Sequence, residues 1–141
     1  RWVDDAFSEY AKRLPRDNSL ELVLIPAASG SSERQKALQI EGQRLLKTIG
    51  RKELVVALDE TGMPYTSMIL AKKMERWRMG GRDVAFIIGS ANGLPASVLE
   101  RAEDRWSLSA LTFPHQLVRI LVAEQIYRAW SLNSGHPYHR A

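Results

Sequence analysis

The chain contains no cysteine and no run of about 18 apolar residues. Without cysteine we expect no disulfide, thiolate metal site, iron–sulfur cluster or cysteine nucleophile, and a reducing compartment suits the protein. Without a long apolar run we expect no membrane-spanning helix, and the first residues show no signal-peptide pattern. The absences together predict a cytoplasmic protein that has no membrane partner.

Size and charge place the chain among ordinary globular proteins. Its 141 residues are 45% hydrophobic and 26% charged, which predicts one domain over residues 1–141. Twenty Lys and Arg residues against 16 Asp and Glu give a net charge of +4. This mildly basic balance permits an anionic partner such as RNA but does not require one.

Apolar spacing predicts alternating helices and strands. The predicted helices cover residues 3–14, 32–49, 67–79, 95–102 and 115–130. The predicted strands cover residues 20–25, 54–58 and 84–88, and residues 107–112 form a short strand or an extended loop. Residues 59–64 have the composition of a turn around Gly62. The order of elements predicts an α/β fold in which helices cover both faces of a parallel sheet.

Three loops are candidates for a binding site because ligands bind beyond the carboxyl ends of parallel strands. They are residues 58–62, 89–93 and 108–114. The Gly-rich dinucleotide and phosphate-loop motifs are absent, and Ser90 stands too close to Gly89 for a hydrolase serine elbow. The third loop is apolar, and its main-chain amides suit a flat, uncharged base better than a phosphate. The middle loop is equally open to interpretation as an ordinary turn, and composition alone favours an ordinary strand with its exit turn for the third.

Histidines occur late in the sequence, at His115, His136 and His139. The last two are three residues apart, but two such ligands do not complete a zinc site, so we expect no metal. The polar and aromatic residues 133–140 form either a frayed end or a strip that contacts substrate. The preceding helix is apolar on much of its circumference, which indicates either central burial or packing against a second copy.

Four segments together resemble the ribosomal RNA large subunit methyltransferase H family, whose members are small SPOUT-class enzymes. They are the 89–94 loop, Leu-Ser-Ala-Leu-Thr-Phe-Pro-His at 108–115, the helix at 117–128 and His-Pro-Tyr-His-Arg at 136–140. The likeness covers nearly the whole chain, and it implies a C-terminal trefoil knot and a homodimer. The family usually has one more strand before the first helix, so we expect that strand to be missing before Arg1.

The resemblance also implies an activity, which is transfer of a methyl group from S-adenosylmethionine to N3 of a pseudouridine. That nucleotide lies in a 23S rRNA stem-loop of the assembled ribosome, so the implied partner is this RNA and not DNA. The cofactor residues carried over by motif are Leu58, Gly89, Leu108, Ser109, Ala110, Leu111, Thr112 and Phe113.

For the activity that the resemblance implies, our mechanistic hypothesis takes the last residues as the candidates for catalysis. His139 or His136 would accept the N3 proton, Arg140 would hold developing charge or a phosphate, and Tyr138 would stack on a flipped base. Many family members carry two glycines and then Pro-Glu-Gly where this chain has Ser90 and Asn92. Two alternatives stay open: a non-catalytic RNA- or ribosome-binding module of the same fold, and a nucleotide-binding oxidoreductase, against which the missing Gly-rich motif speaks.

Overall fold

The computed structural model describes residues 1–28, 33–90 and 93–140. The helices are α1 (Trp2–Ala11), α2 (Arg34–Thr48), α3 (Ser67–Gly80), α4 (Ala96–Arg101) and α5 (His115–Ser134), with 3₁₀ turns at Arg16–Asn18 and Pro137–Arg140. The strands are β1 (Leu54–Pro64), β2 (Val84–Ile87) and β3 (Asp104–Ser107). The predicted alternation of helices with parallel strands is confirmed.

Two compact units divide the chain. The sheet unit comprises Val23–Pro64 and Arg82–His115, and therefore contains β1, β2, β3, α2 and α4. The helical unit comprises Arg1–Leu22, Tyr65–Gly81 and Gln116–Ala141, and therefore contains α1, α3 and nearly all of α5. Among the described residues, no helix is long and apolar enough to cross a membrane.

The sheet has the strand order β2-β1-β3, and both pairs are parallel. The first half of its central strand is buried, because Val55, Val56 and Ala57 have no exposed surface. Val55 packs with Ile87 and Val98 in the core of this unit. A continuous β-branched run suits such a strand, because a parallel sheet covered on both faces buries successive side chains on each side.

The helical unit buries one face of α1, through Val3 and Phe7, and several faces of α5. Ser67 Oγ donates to Gln125 Oε1 at 2.8 Å, so α3 contacts α5 through a side-chain hydrogen bond. The buried residues of α5 are Val122, Ala123, Ile126, Tyr127, Ala129 and Ser131. Burial within the chain thus accounts for much of the apolar circumference of α5.

The strand predicted at 20–25 is wrong, and of the two alternatives for 107–112 the structure shows the loop after Ser107. Residues 20–25 form no strand, and Val23 and Leu24 are 54% and 59% exposed. An apolar run becomes a strand only where a neighbouring backbone accepts and donates hydrogen bonds, which the pattern alone does not supply. The last strand is Asp104–Ser107 rather than 107–112, because Trp106 and Ser107 are buried while the following residues form bends.

The predicted turn at 59–64 is also wrong, since β1 continues to Pro64. Leu58 and then Met63 both pair with Trp106, so an irregularity in β1 takes up the residues between them. A Cβ atom at Gly62 would lie 2.6 Å from the carbonyl carbon of Arg105, so only glycine permits this close approach. The predicted cap at Ser32 lies outside the described residues, and α5 extends four residues beyond the predicted end at Trp130 to Ser134.

Candidate functional site

Two of the three segments singled out from the sequence, 89–93 and 108–114, follow strands, while 58–62 lies within β1. β1 and β2 pair in parallel up to Ala57 and Ile87, and Leu58 pairs with Trp106 of β3. Because neighbouring parallel strands run in the same direction, the chain after each strand departs from the same edge. The structure therefore brings Leu58, Gly89 and the segment 108–113 to the carboxyl edge of the sheet.

The turn after β2 depends on its two glycines. Gly93 N donates to Ser90 O at 2.9 Å, and Gly93 has a φ of +86°, which favours glycine. A Cβ atom at Gly89 would lie 2.7 Å from Gly93 O. The main chain at Gly89 thus packs directly against the main chain at Gly93, just after β2.

The segment after β3 is shaped by two serines. Ser107 Oγ donates to Ser109 O at 3.1 Å, and Leu111 N donates to Ser109 Oγ at 3.0 Å. The main-chain N–H groups of Ala110, Thr112 and Phe113 have no acceptor among the described residues.

The side chains of this segment are mostly apolar and include no Lys or Arg, while Leu111 is 68% exposed. Main-chain donors beside apolar side chains fit a neutral heterocycle such as adenine better than they fit a phosphate. The residues present therefore fit the nucleoside part of an adenosine-containing cofactor.

The C-terminal tail, residues 136–140, folds back on α5 through Tyr138. Its hydroxyl donates to Glu124 Oε2 at 2.8 Å, and its ring lies 4.6 Å from that of Tyr127, centroid to centroid. The Arg128 guanidinium carbon lies 5.2 Å from the Tyr138 ring centroid, and its Nη2 donates to Glu124 Oε2 at 2.7 Å. Residues 136–140 are thus an anchored segment and not a frayed end.

Burial and the hydrogen bond to Glu124 raise the pKa of Tyr138 well above its ordinary value. The same carboxylate raises the pKa of Arg128. At neutral pH the phenol is therefore a neutral donor to Glu124. The spacing of Glu124 and Arg128 predicts their ion pair, but no local pattern joins Glu124 to a tyrosine 14 residues later.

The two tail histidines differ in which ring nitrogen is engaged. Tyr138 N donates to His136 Nδ1 at 3.2 Å, so this nitrogen is an acceptor. Ser131 Oγ gives its single proton to Arg128 O at 2.7 Å and lies 3.3 Å from His139 Nδ1. A hydrogen bond at that contact requires the proton on His139 Nδ1, which leaves Nε2 with a lone pair.

The other tail residues have simpler surroundings. Arg140 is exposed. The His136 ring lies 6.1 Å from Tyr127 and 5.7 Å from Trp130, so it forms part of an aromatic cluster.

Within 1–28, 33–90 and 93–140, no three His, Asp or Glu side chains are grouped so that they could hold a metal ion.

A protein-family model matches nearly the whole chain. Residues 1–139 match the family model described as "Predicted SPOUT methyltransferase". The chain belongs to the SPOUT methyltransferase family. The match extends through both compact units, from α1 to the tail histidines.

Curated relatives are similar over most of their length. "Ribosomal RNA large subunit methyltransferase H" of Alkalilimnicola ehrlichii is 51% identical over 142 aligned positions, covering 99% of this chain and 91% of the relative. The protein of the same name from Chromohalobacter salexigens is 50% identical over 141 positions, with the same coverage. That of Saccharophagus degradans is 46% identical over 141 positions, again covering 99% and 91%.

Proposed function

We propose that the chain is an S-adenosylmethionine-dependent methyltransferase that methylates N3 of a pseudouridine in a 23S rRNA stem-loop, acting on assembled ribosomes. One observation carries the proposal. Leu58 within β1 and the two segments that follow β2 and β3 lie at one sheet edge, and the segment after β3 carries main-chain donors in an apolar setting. Membership of the SPOUT family and the names of the relatives support methyl transfer to large-subunit rRNA.

The cofactor site of the proposal consists of Leu58, Gly89 and the segment 108–113. The N–H groups of Ala110, Thr112 and Phe113 would donate to the adenine and ribose, and Leu58 would contact the ring. When bound, S-adenosylmethionine supplies a sulfonium methyl group that is already electrophilic, so the chain's task is alignment of the attacking nitrogen.

The tail supplies the groups that act on the nucleotide. N3 of pseudouridine carries a proton that must leave as the N–CH₃ bond forms. His139 Nε2 has the lone pair to accept it, which favours His139 over His136. Arg140 would hold the charge that develops on the base or an adjacent phosphate. Tyr138 would present a ring for stacking.

The fold-level part of the proposal is a single domain with a C-terminal trefoil knot that acts as a cytoplasmic homodimer. Three apolar side chains support the dimer, because the helical unit leaves Met68, Ile69 and Leu117 55%, 39% and 37% exposed. Single exposed apolar residues are common, but several on one small unit favour an interaction surface.

Methylation of ribosomes in vitro tests the activity. Purified protein, labelled S-adenosylmethionine and ribosomes from cells that lack the modification are mixed, and the 23S rRNA is then digested for mass spectrometry. We expect one added methyl group on a pseudouridine, at N3. Binding to ribosomes without methyl transfer would contradict the proposal and favour the non-catalytic module.

A further inference from the structure

We propose that Glu41 of α2 is a positioning residue that holds the cofactor-binding turn after β2 through Ser90. The inference rests on the proposed function, because it assigns a role toward the cofactor of that same site. Neither residue lies among the cofactor residues carried over by family resemblance. Four observations within the sheet unit support it.

Glu41 is a buried carboxylate. It is 7% exposed, and no Lys or Arg forms an ion pair with it among the described residues. Moving a carboxylate out of water is costly unless hydrogen bonds replace its hydration. A buried acid with no basic partner therefore depends on the donors around it.

Each oxygen of this carboxylate accepts a hydrogen bond from a different segment. Ser90 Oγ donates to Oε1 of Glu41 at 2.7 Å, and Ala28 N donates to Oε2 at 3.0 Å. Arg44, one turn further along α2, donates to Pro26 O at 2.7 Å. Helix α2 thus holds both the chain before it and the turn after β2.

Helix α2 is fixed in this place by close packing. A Cβ atom at Gly42 would lie 2.5 Å from Pro95 Cγ, so the helix touches the residue that precedes α4. Only a residue without a side chain allows this approach. Because Glu41 is next to Gly42, this packing also fixes the position of the Glu41 backbone.

The turn itself transmits the restraint to the cofactor site. Ser90 is adjacent to Gly89, and Ser90 O accepts from Gly93 N at 2.9 Å. Because Gly89 packs against Gly93 with no room for a Cβ atom, displacement of Ser90 moves the Gly89 main chain as well. The Glu41–Ser90 hydrogen bond thus sets the main-chain position at one of the three cofactor segments.

Binding of S-adenosylhomocysteine, measured by calorimetry on the full chain, tests the inference. Ser90→Ala removes one donor, and we expect a roughly tenfold higher Kd, the size typical of one charge-assisted hydrogen bond. Ser90→Thr keeps the hydroxyl and restores tight binding. Glu41→Gln keeps an acceptor but loses the charge, so its Kd lies between those of the wild type and Ser90→Ala.

Ser67→Ala is the matched control, because Ser67 also donates its hydroxyl to a part-buried side chain, at 2.8 Å, but in the helical unit. It should lower Tm without changing the Kd. If Ser90→Ala has an unchanged Kd while the wild-type protein binds normally, the inference is overturned and the proposed function is not affected. Absence of binding by the wild-type protein would overturn the proposed function together with it.

Discussion

The sheet unit and the helical unit present their functional groups in different ways. In the sheet unit the candidate cofactor contacts are main-chain groups, whose positions follow from strand order and from glycines that admit close packing. In the helical unit the candidate catalytic groups are side chains of Tyr138 and His139, held by hydrogen bonds to α5. Cofactor affinity should therefore depend on backbone geometry, and turnover on side-chain contacts.

Replacement of His139 should have the largest effect. His139→Ala removes the nitrogen that accepts the N3 proton, so we expect kcat on ribosomes to fall at least about 100-fold. The Kd for S-adenosylhomocysteine should stay unchanged, because the cofactor contacts lie in the sheet unit. Single-turnover methylation and calorimetry measure the two quantities, and full turnover would remove His139 from the mechanism.

Replacement of Gly89 should change the Kd for S-adenosylhomocysteine. A Cβ atom 2.7 Å from Gly93 O forces the turn to move. Overpacking of this kind costs about 2 kcal/mol or more, so Gly89→Ala should weaken S-adenosylhomocysteine binding at least about 30-fold.

Gly80→Ala is the control for that change, since nothing lies within 4 Å of the position that a Cβ atom would take there. It should leave binding intact and raise Tm slightly, because alanine favours the helix. Equal binding by the two alanine variants would show that main-chain packing at Gly89 does not set cofactor affinity.

Replacement of Tyr138 should have a moderate effect on turnover. Tyr138→Phe keeps the ring but removes the donor to Glu124, so the tail is less firmly held against α5. We expect kcat to fall by about tenfold, the lower end of the size of one hydrogen bond to a charged group. A change in cofactor Kd of the same size would contradict the assignment of cofactor affinity to the sheet unit and of turnover to the helical unit.

Stability at high pH should show the smallest effect. Burial and the Glu124 bond raise the pKa of Tyr138 in the folded protein above its ordinary value of 10.0. Above pH 10 the unfolded chain releases this proton while the folded chain keeps it, so stability present below that pH is lost as pH rises. Between about pH 9 and 11, Tm should fall more steeply for the wild type than for Tyr138→Phe. Parallel curves would contradict the assigned environment of the phenol.

Much of the fold follows from local patterns in the sequence. Apolar periodicity predicts the five helices that the structure describes, and continuous apolar runs predict β2 and the first half of β1. Those signals are local, because the apolar face of one helix or a single apolar run is enough to indicate which residues are buried. The run at 20–25 has the same signal but finds no backbone partner among residues 1–28, 33–90 and 93–140, so composition alone could not distinguish it from a strand.

The candidate site could be predicted only in part. Strand order places ligands beyond the strand ends, so the loops after β2 and β3 were accessible to sequence reasoning, but the candidate loop at 58–62 lies within β1. The contacts of Glu41 with Ser90 and of Glu124 with Tyr138 join residues 49 and 14 positions apart. Such pairs depend on how helices pack against loops, and neither residue type nor spacing indicates them.

The central claim is that main-chain amides at the carboxyl edge of the sheet bind the cofactor. Titration of ¹⁵N-labelled protein with S-adenosylhomocysteine, followed through its amide resonances, tests it most directly. The account predicts that the largest shifts belong to Gly89, Ala110, Thr112 and Phe113. Saturable binding whose shifts are confined to α1, α3 or the tail would contradict it.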